Sequence, residues 1–302
     1  MKGFFMPSYQ EFLLSKRHTS GEFGFAATWL PDCAFDFQKH IIEKCVRKGR
    51  YGMFADTGLG KTLMQLAIAY NVVLHTNGRV LILTPLAVAF QFLDEAAKIG
   101  IDDIEHTKDG RFSKKIVVCN YERLHLLNAD DFECVMLDES SILKNFQGKT
   151  KDQILAFIKR VKYRFLSTAT PSPNDFIELG NSSEALGYMG YMDMLTKFFK
   201  NNQNSVDSTN RNIGEKFYLK PHAEKDFFAW VNQWAIMVKK PSDIGFSDDG
   251  YDLPALHTVE HMVRNTKAWT IDGQGALFAM PAKTMTEVRE EQKLTVESRC
   301  AK

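Results

Sequence analysis

The sequence predicts an α/β protein with a parallel sheet flanked by helices on both faces. Short apolar runs such as RVLILT, IVVC and CVMLD alternate with longer segments whose apolar residues recur at helical spacing. The stretch YGMFADTGLGKTL, residues 51–63, contains a short apolar run, a glycine-bearing loop and the start of an amphipathic helix. Ligands of such sheets bind beyond the carboxyl ends of the strands. We therefore expect the loop and the residues that close strands to share one rim: Thr84, Asn120, Asp138 and Thr168.

The elements follow in order along the chain. Residues 1–34 are interpreted as an N-terminal extension. A helix is expected over 35–50, directly before the strand that leads into the glycine-bearing loop. Later helices are expected at 61–74, 86–98, 150–162 and 175–189, with a short turn and helix at 120–127. Further strands are expected at 79–84, 116–119, 134–138 and 163–167.

The glycine-bearing loop predicts a phosphate site. Gly58 and Gly60 have no side chain, so the backbone can adopt conformations in which successive N–H groups face an anion at a helix N-terminus. Lys61 would reach the β and γ phosphates of ATP, and the Thr62 hydroxyl would ligate Mg2+. The pattern G-x-x-x-x-G-K-[ST] is met only if Ala55 replaces its first glycine, and the alternative is an ordinary tight strand-to-helix turn. The loop residues expected at the nucleotide are Thr57, Gly58, Leu59, Gly60, Lys61, Thr62 and Leu63.

Polar residues elsewhere suggest partners for the phosphates. Asp138 and Glu139 directly follow CVMLD, where one carboxylate can hold Mg2+ and the other can orient or deprotonate the attacking water. An acidic pair closing a strand is also typical of a solvated turn. Hydroxyls in LSTATPSPN, residues 166–174, can sense a γ-phosphate or belong to a Ser/Thr/Pro-rich loop. Gln38 can match an adenine edge, or is a surface glutamine opposite the apolar stripe of its helix.

Composition indicates an ordinary soluble globular protein. The chain has 302 residues, 44% of them hydrophobic, and a net charge of +1, which neither requires nor excludes nucleic acid. Its five cysteines lack C-x-x-C spacing and are interpreted as reduced thiols of a cytoplasmic protein. Secretion and membrane insertion are not expected, because no signal peptide and no run of about eighteen apolar residues is present.

Five segments, in order, resemble known helicase motifs. ADTGLGKT, TPLAVAFQF, CNYERL, LDESS and STATP resemble motifs I, Ia, Ib, II and III of superfamily two helicases. DESSILKN and TATPSPN resemble the DEAH-x-x-K-N and TGTP-x-x-N patterns of the SWI/SNF-like (DEAD/DEAH-type) translocase branch. KPSDIGFSDDGYDLPALH resembles short versions of these proteins carried by bacteriophages. The resemblance covers about 35–174, extends more weakly to 261, and implies a RecA-like P-loop NTPase lobe at 35–180, the N-terminal motor lobe.

The resemblance implies roles for individual residues. Gln38 would read adenine, Lys61 and Thr62 would contact phosphate and magnesium, and Asp138 and Glu139 would be the metal ligand and the water activator. The residues implied to touch the nucleic-acid backbone are Thr84, Pro85, Asn120 and Tyr121. The residues implied to couple the nucleotide state to movement are Thr168 and Thr170.

The sequence departs from the family in two places. Ser140 and Ser141 replace the usual Ala-His, which puts a histidine link between motifs II and III in doubt. Family members also carry a second RecA-like lobe with an arginine finger, and no further strand and helix succession of that kind is recognised after Asn174. We expect residues 181–283 to form a mostly helical, aromatic-rich accessory extension, and 284–302 a connector helix toward an absent second lobe.

Two features of the extension have a functional and a simpler explanation. Phe227, Trp230, Val231, Trp234 and Met237 form one predicted helical stripe, which is expected to be core more readily than a base-stacking surface. The pair of histidines at 257 and 261 with the acidic residue at 260 is a weak zinc signal, because no second cluster accompanies it.

These observations predict the first motor lobe of a DNA-dependent ATPase, a helicase or translocase that acts on DNA, with double-stranded DNA favoured and RNA not excluded. Its expected cofactors are ATP and Mg2+, and its expected partner is a second RecA-like lobe or chain. One alternative is a nucleotide-dependent protein-interaction module without motor activity. A small-molecule P-loop kinase would require an arginine-rich lid after the loop helix, which is not recognised.

Overall fold

Seven strands form one sheet in the computed structural model, which describes residues 22–144, 149–172, 174–201, 217–251, 258–259, 270–271, 274–275 and 296. The strands are β1 (Arg50–Ala55), β2 (Val80–Thr84), β3 (Ile104–His106), β4 (Ile116–Asn120), β5 (Cys134–Asp138), β6 (Tyr163–Ser167) and β9 (Ala235–Val238). Their order is β3-β4-β2-β5-β6-β1-β9, and every neighbouring pair is parallel. The predicted parallel α/β fold is confirmed.

The helices alternate with these strands. They are α1 (Asp36–Lys48), α2 (Lys61–Thr76), α3 (Ala89–Lys98), α4 (Lys149–Arg160), α5 (Leu179–Leu186), α6 (Tyr191–Phe198) and α7 (Glu224–Trp234). The helix predicted to begin at Leu86 begins three residues later. A turn comes first, in which the Val88 N–H donates to the Pro85 carbonyl at 3.1 Å. Residues 121–126 form a 3-10 helix where a short turn and helix was predicted.

Alternating strand residues form two cores, one on each face of the sheet. Helices α1, α2 and α3 pack over the face that carries Met53, Ile82 and Met136. Helices α4 to α7 pack over the opposite face, which carries Leu83 and Leu137. This alternation of side chains follows from the two-residue period of a strand. Strands that are apolar along their length are therefore buried on both sides, as the sequence predicted.

The predicted accessory extension contributes to the sheet. Strand β9 pairs in parallel with β1, so the sheet continues past residue 180, and the compact unit extends to Tyr251. Four aromatic-stripe residues are buried, as predicted: Phe227, Trp230, Val231 and Trp234. The placement of Met237 on that helix was wrong, because α7 ends at Trp234, and Met237 lies on β9 with 40% of its surface exposed.

The remaining segments are short. Strands β7 (Phe199–Asn201) and β8 (Phe217–Leu219) pair antiparallel. Residues 252–302 form a separate compact unit in which β10 (Thr270–Ile271) pairs antiparallel with β11 (Gln274–Gly275). Two predictions lie outside the described residues. They are the weak zinc signal at positions 257, 260 and 261, and the connector helix, of which only Val296 is described.

Candidate nucleotide-binding site

The phosphate loop joins β1 to α2 at the carboxyl edge of the sheet. Gly58 and Gly60 have φ angles of +89° and +78°, in the left-handed region that disfavours residues with a Cβ atom. The Asp56 N–H donates to the Val238 carbonyl at 2.9 Å, which fixes the start of the loop to β9. Thr57 and Gly58 are exposed, so the middle of the loop is open to a ligand.

Lys61 lies back along this loop. Its Nζ donates to the Ala55 carbonyl at 3.0 Å and to the Asp56 carbonyl at 3.1 Å. Partial burial lowers the pKa of Lys61, while the charges of Glu139 and Asp138 act to raise it. The ammonium group and both carboxylates therefore interact electrostatically at one edge of the sheet.

Two other residues of the predicted nucleotide site have buried side chains. Leu59 and Leu63 are 3% and 9% exposed, and both are core residues. Any contact that they make with a nucleotide in this conformation would come from the main chain. Thr62 lies in the first turn of α2, directly after Lys61.

Gln38 supports the loop from α1. Its Nε2 donates to the Leu59 carbonyl at 3.0 Å, and its Oε1 accepts from the Phe35 N–H at 3.0 Å. Gln38 is only 3% exposed, so the expectation of a glutamine opposite the buried stripe was wrong. A Cβ atom at Gly60 would lie 2.3 Å from the Gln38 Nε2. A side chain at position 60 would therefore have to displace the Gln38 amide from its hydrogen bond to the loop.

Asp138 is held from two sides at the end of β5. Its Oδ1 accepts from the Gln65 amide of α2 at 2.8 Å, and its Oδ2 accepts from the Thr84 hydroxyl at the end of β2 at 3.0 Å. The Tyr121 hydroxyl donates to the Asp138 main-chain carbonyl at 2.6 Å. Burial raises the pKa of Asp138, and the two side-chain hydrogen bonds oppose that shift. A carboxylate in this environment would be stabilised by a nearby cation.

Glu139 is fixed by two hydroxyl groups. Its Oε1 accepts from the Thr168 hydroxyl at 2.8 Å and from the Ser141 hydroxyl at 2.5 Å. Glu139 also has a φ of +51°, an uncommon conformation for a residue with a side chain. Both hydroxyls bind the same carboxylate oxygen, so Oε2 is the oxygen through which Glu139 can accept from a ligand or water.

The loop that begins at Thr168, directly after β6, is called the Thr168 loop. It is hydrogen-bonded to the segment that follows the acidic pair. The Thr170 N–H donates to the Thr168 hydroxyl at 3.0 Å, and the Lys144 Nζ donates to the Thr170 hydroxyl at 3.3 Å. A physical connection between the segments resembling motifs II and III therefore exists without a histidine. It runs through Thr168 to Glu139 and through Lys144 to Thr170.

Three residues predicted to touch nucleic acid are buried instead. Thr84, Asn120 and Tyr121 are 0%, 1% and 5% exposed. The Thr84 and Tyr121 hydroxyls face Asp138, and the Asn120 Nδ2 donates to the Thr84 carbonyl at 3.4 Å. In this structure, their side chains support the acidic pair rather than a surface contact. Only Pro85 of that predicted set is partly exposed.

Three residues that complete these contacts were not predicted from the sequence as site residues. Gln65 follows Lys61 by four positions on α2, and that spacing places both on one helix face. Because Lys61 was expected to lie near Asp138, the spacing along the helix could also have predicted a contact between Gln65 and Asp138. Ser141 stood out in the sequence only as a departure from the family pattern, and Lys144 only as part of a matching segment.

The acidic residues fit a magnesium ion. Asp138 supplies a partly buried carboxylate that interacts electrostatically with Lys61, and Thr62 supplies a hydroxyl in the first turn of α2. Hard oxygen donors of this kind suit Mg2+, which usually takes one or two protein ligands together with phosphate and water. Within the described ranges, no group of three or more His, Cys, Asp or Glu residues could hold a metal by itself.

The phosphate loop and the acidic pair lie at the same edge of the sheet, where Lys61 interacts with both carboxylates and Gln65 of the adjoining helix binds Asp138. Residues 35–178 match the DEAD/DEAH box helicase family. The helicase match includes α1 and the phosphate loop, and it ends after the Thr168 loop. This region is therefore similar to helicases of that family. The part of the chain that the structure describes contains no helix that is long and apolar enough to cross a membrane.

Two curated relatives share sequence with the helicase region. The DNA annealing helicase and endonuclease ZRANB3 of Bos taurus is 30% identical over 168 residues, which cover 50% of this chain and 16% of that protein. The same-named protein of Mus musculus is 28% identical over 169 residues, with the same shares. The chain therefore matches only a small part of the length of these relatives.

A solved structure shares the fold. The Sulfolobus solfataricus SWI2/SNF2 ATPase core in complex with dsDNA superposes with a TM-score of 0.52. The alignment covers 70% of this chain and 46% of that chain, at 17% identity. At this level of identity, the likeness concerns the fold alone, and it agrees with the parallel α/β sheet flanked by helices.

Proposed function

We propose that this chain is the first RecA-like motor lobe of a SWI/SNF-like DNA-dependent ATPase that moves on nucleic acid, with duplex DNA as the favoured substrate. The observation that carries the proposal is the network around Asp138. Gln65 of the loop helix and Thr84 at the end of β2 bind its two oxygens, and Lys61 interacts with it electrostatically. This supports a single site for a nucleoside triphosphate.

In this proposal, each residue at the rim has a distinct task. The loop N–H groups bind phosphate oxygens, and Lys61 leaves its two carbonyl acceptors to contact the β and γ phosphates. Thr62 and Asp138 hold Mg2+, which supplies positive charge opposite the phosphates when it is bound. Glu139 orients the attacking water and accepts its proton. Such catalysis is mainly positional and electrostatic.

Coupling to movement is proposed to pass through Thr168 and Thr170. The Thr168 hydroxyl donates to the carboxylate that would face the γ-phosphate, so a change there alters a hydrogen bond in the Thr168 loop. Thr170 then passes the change to Lys144. Gln38, bonded to the loop at the Leu59 carbonyl, would report the presence of the adenine base to the phosphate site.

Full activity is proposed to require a second RecA-like lobe. The match to the curated relatives covers 16% of their length, and the match to the solved ATPase core covers 46% of that chain, which supports a larger functional unit. A catalytic arginine contributed from another domain accelerates comparable NTPases by about 10³- to 10⁵-fold. We therefore expect these 302 residues alone to bind ATP and to hydrolyse it slowly.

Nucleotide affinity and turnover test this function. Lys61→Ala should weaken ATP–Mg2+ binding by about tenfold or more, because a charge-assisted contact to phosphate contributes about 1.5–3 kcal/mol. Lys225→Ala, on the exposed surface of α7, is the matched control and should bind ATP like the wild type. Binding can be measured by calorimetry. Undiminished affinity of Lys61→Ala would contradict the proposed site.

Steady-state ATP hydrolysis with and without duplex DNA tests the motor assignment. We expect slow turnover by the chain alone and DNA-stimulated turnover when a second lobe is supplied. Fast DNA-stimulated turnover by the isolated chain would contradict the requirement for that lobe. Tight ATP binding that alters the binding of a protein partner, with no DNA stimulation in the presence of the second lobe, would instead support an interaction module without motor activity.

A further inference from the structure

A buried carboxylate with one unused oxygen follows the Thr168 loop. Glu178 is only 6% exposed, and its Oε1 accepts from the Asn174 Nδ2 at 2.8 Å. Its Oε2 is buried and has no hydrogen-bond partner among the described residues. The neighbouring carboxylate of Asp175 is already bound, because its Oδ1 accepts from the Ile177 N–H at 3.1 Å. Since a buried charge is normally paired, Glu178 has one oxygen available for a cation.

Lys144 is a cation near this oxygen. Partial burial lowers the pKa of Lys144, while the charge of Glu178 and then that of Glu139 act to raise it. The Lys144 Nζ donates to the Thr170 hydroxyl at 3.3 Å, and it forms no ion pair with a carboxylate of the described residues. The ammonium group therefore interacts with two carboxylates and is bonded to neither.

Hydrogen bonds fix the main chain around Lys144 and Glu178. Asn181 on α5 is fully buried, and its Nδ2 donates at 3.0 Å to the carbonyl of Leu143, the residue before Lys144. Because α5 begins directly after Glu178, this bond holds the two segments together. The ammonium group itself is carried on a flexible four-carbon stem, so its position depends on which acceptors attract it.

The position of this ammonium group matters for the proposed hydrolysis. Glu139 uses its Oε1 for two hydroxyl groups, which leaves its Oε2 for the attacking water. A lysine bound to that oxygen would exclude the water and neutralise the carboxylate that accepts its proton. The Thr170 hydroxyl holds the ammonium only weakly, because 3.3 Å is long for a hydrogen bond and the acceptor is neutral. A second carboxylate is therefore needed to keep Lys144 away from Glu139.

We propose that Glu178 is a positioning residue for ATP hydrolysis: its free Oε2 attracts the Lys144 ammonium and thereby keeps the Oε2 of Glu139 open to water. This inference deepens the proposed function and rests on it. It also extends the proposed coupling path by one step, because the Thr168 loop reaches Lys144 through the Thr170 hydroxyl. Glu178 acts only through Lys144 and has no contact of its own with the reacting atoms in this proposal.

The nucleotide-free full chain tests the pairing itself. The NMR signal of the Lys144 Cε, followed against pH, gives the pKa of this lysine. Glu178→Gln keeps the size of the side chain and an acceptor for Asn174 but removes the charge, so it should lower the pKa of Lys144. Glu184→Gln is the matched control on α5, because its carboxylate is paired with Lys159 at 2.9 Å, and it should leave the pKa of Lys144 unchanged. The same pKa in Glu178→Gln as in the wild type would overturn the proposal.

Single-turnover ATP hydrolysis by the full chain tests the role of the pair. Glu178→Gln should slow hydrolysis by about tenfold at unchanged ATP affinity, which is part of the roughly 10²- to 10⁴-fold that a general base contributes. Lys144→Met should slow it by only about threefold, because that variant loses a single long hydrogen bond to Thr170. The double variant should return to the rate of Lys144→Met, because no ammonium group remains to occupy Glu139. Circular dichroism verifies that each variant is folded.

Rescue in the double variant separates positioning from a purely structural role. If Glu178 only stabilised the fold, the double variant would be at least as slow as Glu178→Gln, and that result would overturn the proposal. Wild-type turnover by Glu178→Gln would overturn it as well. Glu184→Gln and Lys159→Met are the control pair, and neither should change the rate. Failure of the wild type to hydrolyse ATP would contradict the proposed ATPase function, whereas the NMR titration decides the pairing of Lys144 with Glu178 separately.

Discussion

The contact between Gly60 and Gln38 gives a sharp prediction about the phosphate loop. A Cβ atom at Gly60 would lie 2.3 Å from the Gln38 Nε2 and would also force a residue with a side chain to adopt a φ of +78°. Gly58 has the same backbone constraint, at +89°, but a Cβ atom there would meet no other atom within 4 Å. The two glycines therefore separate backbone strain from the steric contact.

The expected cost follows from these two terms. Left-handed backbone costs about 1–2 kcal/mol for a residue with a side chain. Gly60→Ala must also displace the Gln38 amide, which loses its bonds to the Leu59 carbonyl and the Phe35 N–H, at about 0.5–1.5 kcal/mol each. We expect Gly58→Ala to destabilise the protein by about 1–2 kcal/mol. We expect Gly60→Ala to destabilise it by about 2–5 kcal/mol.

A double-mutant cycle isolates the contact. In the Gln38→Ala background the obstructing amide is gone, so Gly60→Ala should cost only the backbone strain, about 1–2 kcal/mol. The free energy of unfolding of the wild type, both single variants and the double variant can be measured by urea denaturation followed by circular dichroism. Additive costs within about 0.5 kcal/mol would refute the reasoning. A Gly58→Ala cost equal to that of Gly60→Ala would refute it as well.

Two further predictions concern the acidic pair. Because burial raises the pKa of Asp138 in the folded state, the folded protein holds a proton more readily than the unfolded chain, and its stability falls as pH rises from the ordinary carboxyl value of 3.8 upward. The Asp138→Asn variant should therefore be more stable than the wild type at neutral pH, as measured by urea denaturation in EDTA. The difference in the free energy of unfolding should shrink in acid, and a difference that is independent of pH would contradict this cause. Ser141→Ala removes one of two hydroxyl donors to Glu139 and should slow single-turnover ATP hydrolysis by about tenfold without changing ATP affinity. Ser140→Ala is its control, because the Ser140 Oγ is buried without a partner among the described residues, and an equal loss in both variants would argue against a positioning role for Ser141.

Sequence alone determined the features that depend on local pattern. Continuous apolar runs identified β2, β4 and β5 to within one residue, because strands buried on both faces must be apolar along their length. The phosphate loop and the acidic pair were located for the same reason, since each closes such a run. Their placement on one rim followed from the rule that parallel strands end at the same edge.

Only the tertiary structure decided which side chains meet. Strand β9 joins the sheet next to β1 from a segment about 180 residues later, and no local pattern encodes that pairing. Thr84, Asn120 and Tyr121 were expected to touch nucleic acid, but their side chains are buried. The Thr84 and Tyr121 hydroxyls donate to Asp138, because a partly buried carboxylate and its main-chain carbonyl require hydrogen-bond donors. The partners of a buried polar group come from strands distant in sequence, so their identity depends on packing that a linear pattern does not contain.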